Sequence, residues 1–270
     1  MHAPGRLRGR RLWLPFLGAA LAVAAVCAVA VLRPGAAADP VAAGGGDAPM
    51  TVAAPAALTL PDEARVLVFG DSWVYGSAAL TPTLGFAYRL AHELGVETLV
   101  DGVRGSGYLK PGVDGPAYGE RIAQLDPALD PDLIVIEGSI NDRRLYPSGY
   151  RDAVTAAWDQ LEAHFPDAAI VVLGPAPQVL PVEAATRKID TDLRDLAAAR
   201  GWWYISPIQE EWITTANYAD VIDSGPVGRD HPSTTGHAYL ASRVADAVRA
   251  MTRTTNVVAE APLDDGAVAP

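Results

Sequence analysis

The chain has 270 residues, half of them hydrophobic and a fifth charged, so it can bury a sizeable core and is not a disordered polyelectrolyte. It carries 21 basic against 32 acidic residues, a net charge of −11; five of the basic residues precede residue 39, where there is no acid, which leaves −16 for the remainder and argues against nucleic acid or anionic lipid as the main partner. The single thiol, Cys27, excludes an intrachain disulfide and a cysteine-based zinc site.

In chain order, Arg6, Arg8, Arg10 and Arg11 precede an uncharged apolar run from Leu12 to Leu32. As a helix those residues span roughly 31 Å, the thickness of a bilayer core. Residues 1–38 therefore read as an export segment that directs the rest of the chain out of the cytoplasm. The length of the run favours a retained single-pass anchor, whereas Ala36-Ala37-Ala38 favours cleavage before Asp39; both remain open. Residues 39–63 are rich in Ala, Gly and Pro and read as a linker, and residues 253–270 as a disordered tail.

Between them, residues 64–252 alternate short apolar runs with helical patterns. Strands are expected at Arg65–Phe69, Glu97–Val100, Leu133–Glu137, Ala169–Leu173 and Trp202–Ile205, and helices at Leu84–Leu94, Tyr150–Phe165, Val182–Arg200 and Thr234–Met251. Gly201 suits the residue after a helix end, and Ser233 suits an N-cap. Apolar runs without alternation belong to strands covered on both faces, so the fold class is α/β with a mostly parallel sheet. In such sheets ligands gather at the carboxyl ends of the strands.

Four loops at those ends carry chemistry-bearing residues: Gly70-Asp71-Ser72, Gly102-Val103-Arg104-Gly105-Ser106-Gly107, Gly138-Ser139-Ile140-Asn141-Asp142, and Asp230-His231-Pro232-Ser233. Singly, each has a commonplace explanation as a cap, a flexible loop or a turn. Glycine at the second loop lets a backbone N–H approach a ligand oxygen, but no lysine or strand–glycine–helix context makes a phosphate loop. His92 and His164 fall on helices away from the strand ends, and His237 one turn into the last helix is better placed to pack or cap than to react. Trp212 and Tyr218 are candidates for the wall of an acyl or sugar pocket.

Taken in order, the four loops resemble the SGNH, or GDSL-type, hydrolase superfamily over about residues 64–252. The resemblance implies a three-layer α/β/α sandwich, flavodoxin-like, with five parallel strands. It also implies ester hydrolysis or acyl transfer through an acyl-serine, with no metal and no cofactor. By the same resemblance Ser72 matches the nucleophile and His231 the general base, while Ser72, Gly105 and Asn141 match the oxyanion donors. Two departures stand out. Ser139 occupies the family's glycine position two residues before Asn141. Gly228 stands where the family places the aspartate that orients the histidine, leaving Asp230, Asp223 or a backbone carbonyl for that task. The leading expectation is an exported serine esterase acting on small-molecule, glycan or lipid esters, probed by whether activity falls as His231 takes up a proton in acid. An acyltransferase of the same family and a non-catalytic envelope glycan-binding module are the alternatives.

Overall fold

The structure, a computed structural model, describes residues 54–253. The expected export segment, Cys27, most of the linker and the tail beyond Arg253 lie outside the described residues. The elements are β1 (Arg65–Gly70), α1 (Ser72–Tyr75), α2 (Phe86–Leu94), β2 (Glu97–Gly102), α3 (Tyr118–Ile122), β3 (Leu133–Glu137), α4 (Tyr150–His164), β4 (Ala169–Leu173), α5 (Ala184–Ala199), β5 (Trp203–Ile205), α6 (Tyr218–Val221), β6 (Ile222–Asp223), β7 (His231–Pro232) and α7 (Thr234–Arg253). The short helices α1, α3 and α6 and the two-residue β6–β7 pair had no periodicity to announce them.

Five strands pair in parallel in the order β2-β1-β3-β4-β5. Within β1, Val66 and Val68 point to one face and Leu67 and Phe69 to the other, all of them buried. Val66 and Val68 meet Leu90 of α2 and Leu240, Val244 and Val248 of α7, an i, i+4 apolar stripe. Leu67 and Phe69 meet α3, α4 and α5 through Ile122, Trp158 and Leu193. Helices thus cover both faces, which is the three-layer α/β/α arrangement, and each fully buried aliphatic side chain contributes about 1.5–3 kcal/mol before entropy is counted. The strand that reads as one continuous apolar run, β3, is buried at every residue, and the weaker β2 forms a half-exposed edge.

The end signals hold. Ser233 Oγ accepts from Gly236 N at 2.9 Å at the start of α7, and Gly201, at φ +69°, ends α5. The linker reading is too long at its C-terminal end: Leu58 is buried in the core, and its N–H donates to Met251 O at 3.1 Å. An apolar side chain that can reach a core will bury there, whatever the composition around it. Among the described residues no helix is long and apolar enough to cross a membrane.

The strand order reverses between β1 and β3: the chain leaves β1 for β2 on one side and reaches β3 on the other. Such a switch point opens a crevice beyond the carboxyl ends of the strands, and that is where the site lies.

Candidate active site

β1 delivers the chain into Asp71 and Ser72. Gly70 admits no side chain there, since a Cβ would stand 2.5 Å from Val74 Cγ2 and 2.8 Å from Glu137 Oε2. Asp71 is fully buried and its Oδ1 accepts from Trp73 N at 2.9 Å, fixing the turn in which Ser72 opens α1. Ser72 Oγ lies 2.9 Å from His231 Nε2 across 159 residues of sequence.

The other ring nitrogen of His231, Nδ1, lies 2.8 Å from Gly228 O. A carbonyl can only accept, so Nδ1 carries the hydrogen and Nε2 is left to accept from the Ser72 hydroxyl. Of the three groups left open for orienting the base, this selects the backbone carbonyl and rules out Asp230. Arg229 and Asp230 both sit in the left-handed region, at φ 52° and 61°, and turn the chain so that Asp230 N donates to Asp223 O at 2.9 Å. Among the described residues no hydrogen bond joins the Asp230 carboxylate to the imidazole. Among the described residues Asp223 makes no side-chain hydrogen bond to the ring either; its Oδ1 accepts from Gly225 N at 2.8 Å. The physical reason lies in Gly228. A Cβ there would stand 2.1 Å from Asp223 Cγ, so the residue three before the histidine has no room for a carboxylate and presents its carbonyl instead.

The opposite wall comes from the loops after β2 and β3. Gly105 adopts φ +72°, a conformation glycine takes freely, and among the described residues no acceptor takes its N–H. Asn141 is held from two sides, its Nδ2 donating to Asp71 Oδ2 at 2.7 Å and to Ser106 O at 3.0 Å. Ser139 completes the frame. Its Oγ accepts from Asn141 N at 3.0 Å and donates to Ser106 O at 2.8 Å, so that carbonyl stays paired if Asn141 turns one hydrogen to a ligand. Ser72, Gly105, Asn141 and His231 all line one open cavity of about 820 Å³.

The sequence from residue 68 to 239 matches the profile of the GDSL-like lipase/acylhydrolase family. The chain belongs to that family. It is 28% identical over 145 residues to a GDSL lipase of Mycobacterium tuberculosis, a stretch covering 52% of this chain and 59% of that protein, so the chain spans well under two thirds of the relative's length. Its fold is similar to that of an aryl esterase of M. smegmatis (TM-score 0.53, 18% identity, 70% of this chain and 99% of that one). It is equally similar to a carbohydrate acetylesterase from Sinorhizobium meliloti (TM-score 0.54, 16% identity, 70% and 99%). In this GDSL-family chain every expected site residue except the orienting aspartate lines the same cavity.

Three residues of this GDSL site escaped the sequence reading. Glu137, the last residue of β3, is 5% exposed and lies against Asp71, whose N–H donates to its Oε2 at 3.3 Å. Burial beside the Asp71 carboxyl pushes Glu137 well above the usual carboxylate range. Burial also raises Asp71, opposed by the hydrogen bond it accepts from Trp73 N. The pair is best described as sharing one proton, carried by Glu137, with Asp71 as the anion that Asn141 needs. A charged residue closing an otherwise apolar strand was the available signal. Ser139 is the second: the sequence marked it only as a departure from the family's glycine two places before Asn141, not as part of the frame that holds it. Arg121 is the third, buried against the Phe69 ring at 4.1 Å and donating to Gly70 O and to Asp101, which steadies the end of β1.

Neighbouring carboxylates hold turns. Asp142 accepts from the N–H groups of Tyr108, Leu109 and Lys110 at 2.7–3.0 Å and so ties the Gly105 loop to the Asn141 loop. His237 packs and caps: Nδ1 accepts from Phe86 N at 3.2 Å and Nε2 donates to Ser77 O at 3.0 Å. Neither Trp212 nor Tyr218 lines the cavity that holds Ser72. Trp212 is 1% exposed in the core, and Tyr218 donates to Gln178 O at 2.8 Å.

Proposed function

We propose that this protein is an exported serine esterase that hydrolyses small acyl esters of a carbohydrate or lipid through an acyl-serine intermediate. The observation that carries the reading is the contact of Ser72 Oγ with a His231 ring whose tautomer Gly228 O fixes. In the first half-reaction Ser72 Oγ attacks the ester carbonyl while its proton passes to Nε2. The oxygen that gains charge is received by the N–H groups of Ser72 and Gly105 and by one hydrogen of the Asn141 amide. The imidazolium keeps its Nδ1–H on Gly228 O and returns the Nε2 proton to the departing alcohol. Water then repeats the sequence on the acyl-serine, with His231 as base, releasing the acid and restoring Ser72. Export is supported by the arginine cluster and the apolar run of residues 6–32. The names of the similar proteins, an aryl esterase, a carbohydrate acetylesterase and a lipase, support ester chemistry on small acyl groups.

The test is turnover of 4-nitrophenyl acetate and butyrate by the full chain, beside Ser72→Ala and His231→Ala. Each variant is expected to lose on the order of 10³-fold or more in kcat/KM. Fluorophosphonate labelling is expected to vanish in Ser72→Ala; labelling or turnover that persists there would overturn the assignment.

A further inference from the structure

The walls of the active-site cavity bear a charge opposite to that of the molecule. Five cations line it, Arg104, Lys110, Arg143, Arg144 and Arg229, and among the described residues no carboxylate does. In a chain of net charge −11 this is a local reversal of sign. Two of the five are already answered. Arg104 forms a two-pronged pair with Asp114, at 2.6 and 2.9 Å, and Arg143 meets Glu183 at 2.7 Å. The other three meet no carboxylate among the described residues. Lys110 Nζ donates to Gly105 O at 3.2 Å, which sets an ammonium group on a glycine that itself lines the cavity. Arg144 follows the Asn141 loop, and Arg229 lies two residues before His231; both are exposed and make no ion pair. Each of the three loops that supply Gly105, Asn141 and His231 therefore contributes one unanswered cation.

Concentrating like charges around a concave wall costs stability unless a ligand answers them. The buried anion behind the site, Asp71, does not, since it is fully enclosed and spends its oxygens on Trp73 N and Asn141. The overall negative charge still repels extended polyanions, while a small anion inside the cavity meets mainly the local wall. We infer that the ester this site is built for carries a negative group, a carboxylate or a phosphate, close to the scissile bond, held by Lys110, Arg144 and Arg229. This deepens the esterase reading and rests on it for the reaction, though not for the binding.

The experiment separates the two. Two matched probe pairs are used: mono-4-nitrophenyl glutarate against its methyl ester, with the charge on the acyl side, and 4-acetoxy-3-nitrobenzoate against its methyl ester, with the charge on the alcohol side. Binding is measured to full-chain Ser72→Ala, and kcat/KM to the wild type. In at least one pair the anion is expected to bind about tenfold or more tightly than its ester at low salt, with the preference collapsing in 0.5 M NaCl. Arg144→Gln, Arg229→Gln and Lys110→Gln are each expected to reduce the anion-to-ester ratio, which cancels the intrinsic reactivity of the probes and any common loss of folding. The responding pair assigns the charge to the acyl or the alcohol. Equal binding of anion and ester in both pairs, or a preference unmoved by salt and by all three variants, overturns the inference whether or not the wild type turns over. A binding preference without turnover of any probe would support the anion site and overturn the esterase reading instead.

Discussion

The two halves of the proposed catalytic apparatus are held by different means. On the oxyanion side, Asn141 is fixed by a buried network of side chains: Asp71, Ser139 and, one layer behind, Glu137. On the base side, His231 is fixed by a single main-chain oxygen in a partly exposed loop whose turn runs through two left-handed residues. The first arrangement sums several short hydrogen bonds in a low-dielectric interior, where each is strong and the loss of any leaves a buried group unpaired. The second depends on backbone shape and so is insensitive to which side chains decorate the loop. Damage should therefore be severe and chemical on one side, mild and conformational on the other.

The largest effect expected from breaking the oxyanion side is that of Asn141→Ala. It removes an oxyanion donor and strips Asp71 of its 2.7 Å partner, and kcat/KM should fall on the order of 10²–10³-fold with the loss mainly in kcat. A loss smaller than tenfold in steady-state kinetics would mean that the Nδ2 hydrogens stay on Asp71 and Ser106 O throughout the reaction.

Next in size is a pH effect on stability, seated in His237. Its ring is enclosed, and burial pulls its pKa down to about 4 from an ordinary 6.5. Between those values the unfolded chain takes up a proton that the folded chain refuses, so stability is lost as pH falls from about 6.5 to 4. The accumulated cost is roughly 3 kcal/mol. Unfolding of His237→Gln, followed by denaturant titration across that window, should start lower at pH 7.5 because Phe86 N and Ser77 O lose their partner. It should then fall less steeply than the wild type by about one proton. Parallel slopes would show that His237 is already charged in the fold.

The same contrast sets what the sequence could reveal. Ser72, Gly105, Asn141 and His231 were legible because side-chain chemistry at the ends of four strands has few other uses when it recurs in that order. The sheet was legible because strands buried on both faces leave unbroken apolar runs, and the α2, α4, α5 and α7 helices because of their 3.6-residue stripes. The orienting group was not legible, since every residue owns a carbonyl and only the fold says which one meets Nδ1. The side-chain rule pointed to Asp230, whereas the packing of Gly228 on Asp223 decides the matter. Glu137 was hidden for a related reason: its proton depends on burial beside Asp71, a contact between residues 66 apart. The cationic wall is likewise assembled from three separate loops and has no local signature.

A smaller effect sharpens the oxyanion side. If Glu137 carries the shared proton, Glu137→Gln retains an N–H donor toward Asp71, and kcat/KM at pH 7.5 should stay within about threefold. The stability signature has a definite sign. A carboxyl whose folded pKa is raised holds a proton that the unfolded chain has lost, so its stabilisation is complete below the unfolded value and fades as pH rises through the folded one. The variant lacks that dependence, and its Tm should gain on the wild type as pH rises from 5 to 9. A kcat/KM drop above thirtyfold, or a Tm difference flat in pH, would place an anion at Glu137 instead.

The smallest effect is the one that most directly tests the base side. In a serine hydrolase whose histidine is held by an aspartate, amidation of that aspartate costs on the order of 10⁴-fold, because the ring is then trapped in the wrong tautomer. Here the hydrogen on Nδ1 belongs to Gly228 O, and Asp230 serves the loop through its backbone, in a left-handed conformation that asparagine also adopts readily. Asp230→Asn should therefore change kcat/KM for neutral esters by no more than about twofold and leave the pH profile in place. A loss of a hundredfold would require the carboxylate to reach Nδ1 during turnover, and with it a rearrangement of residues 228–231 that frees the ring from Gly228 O.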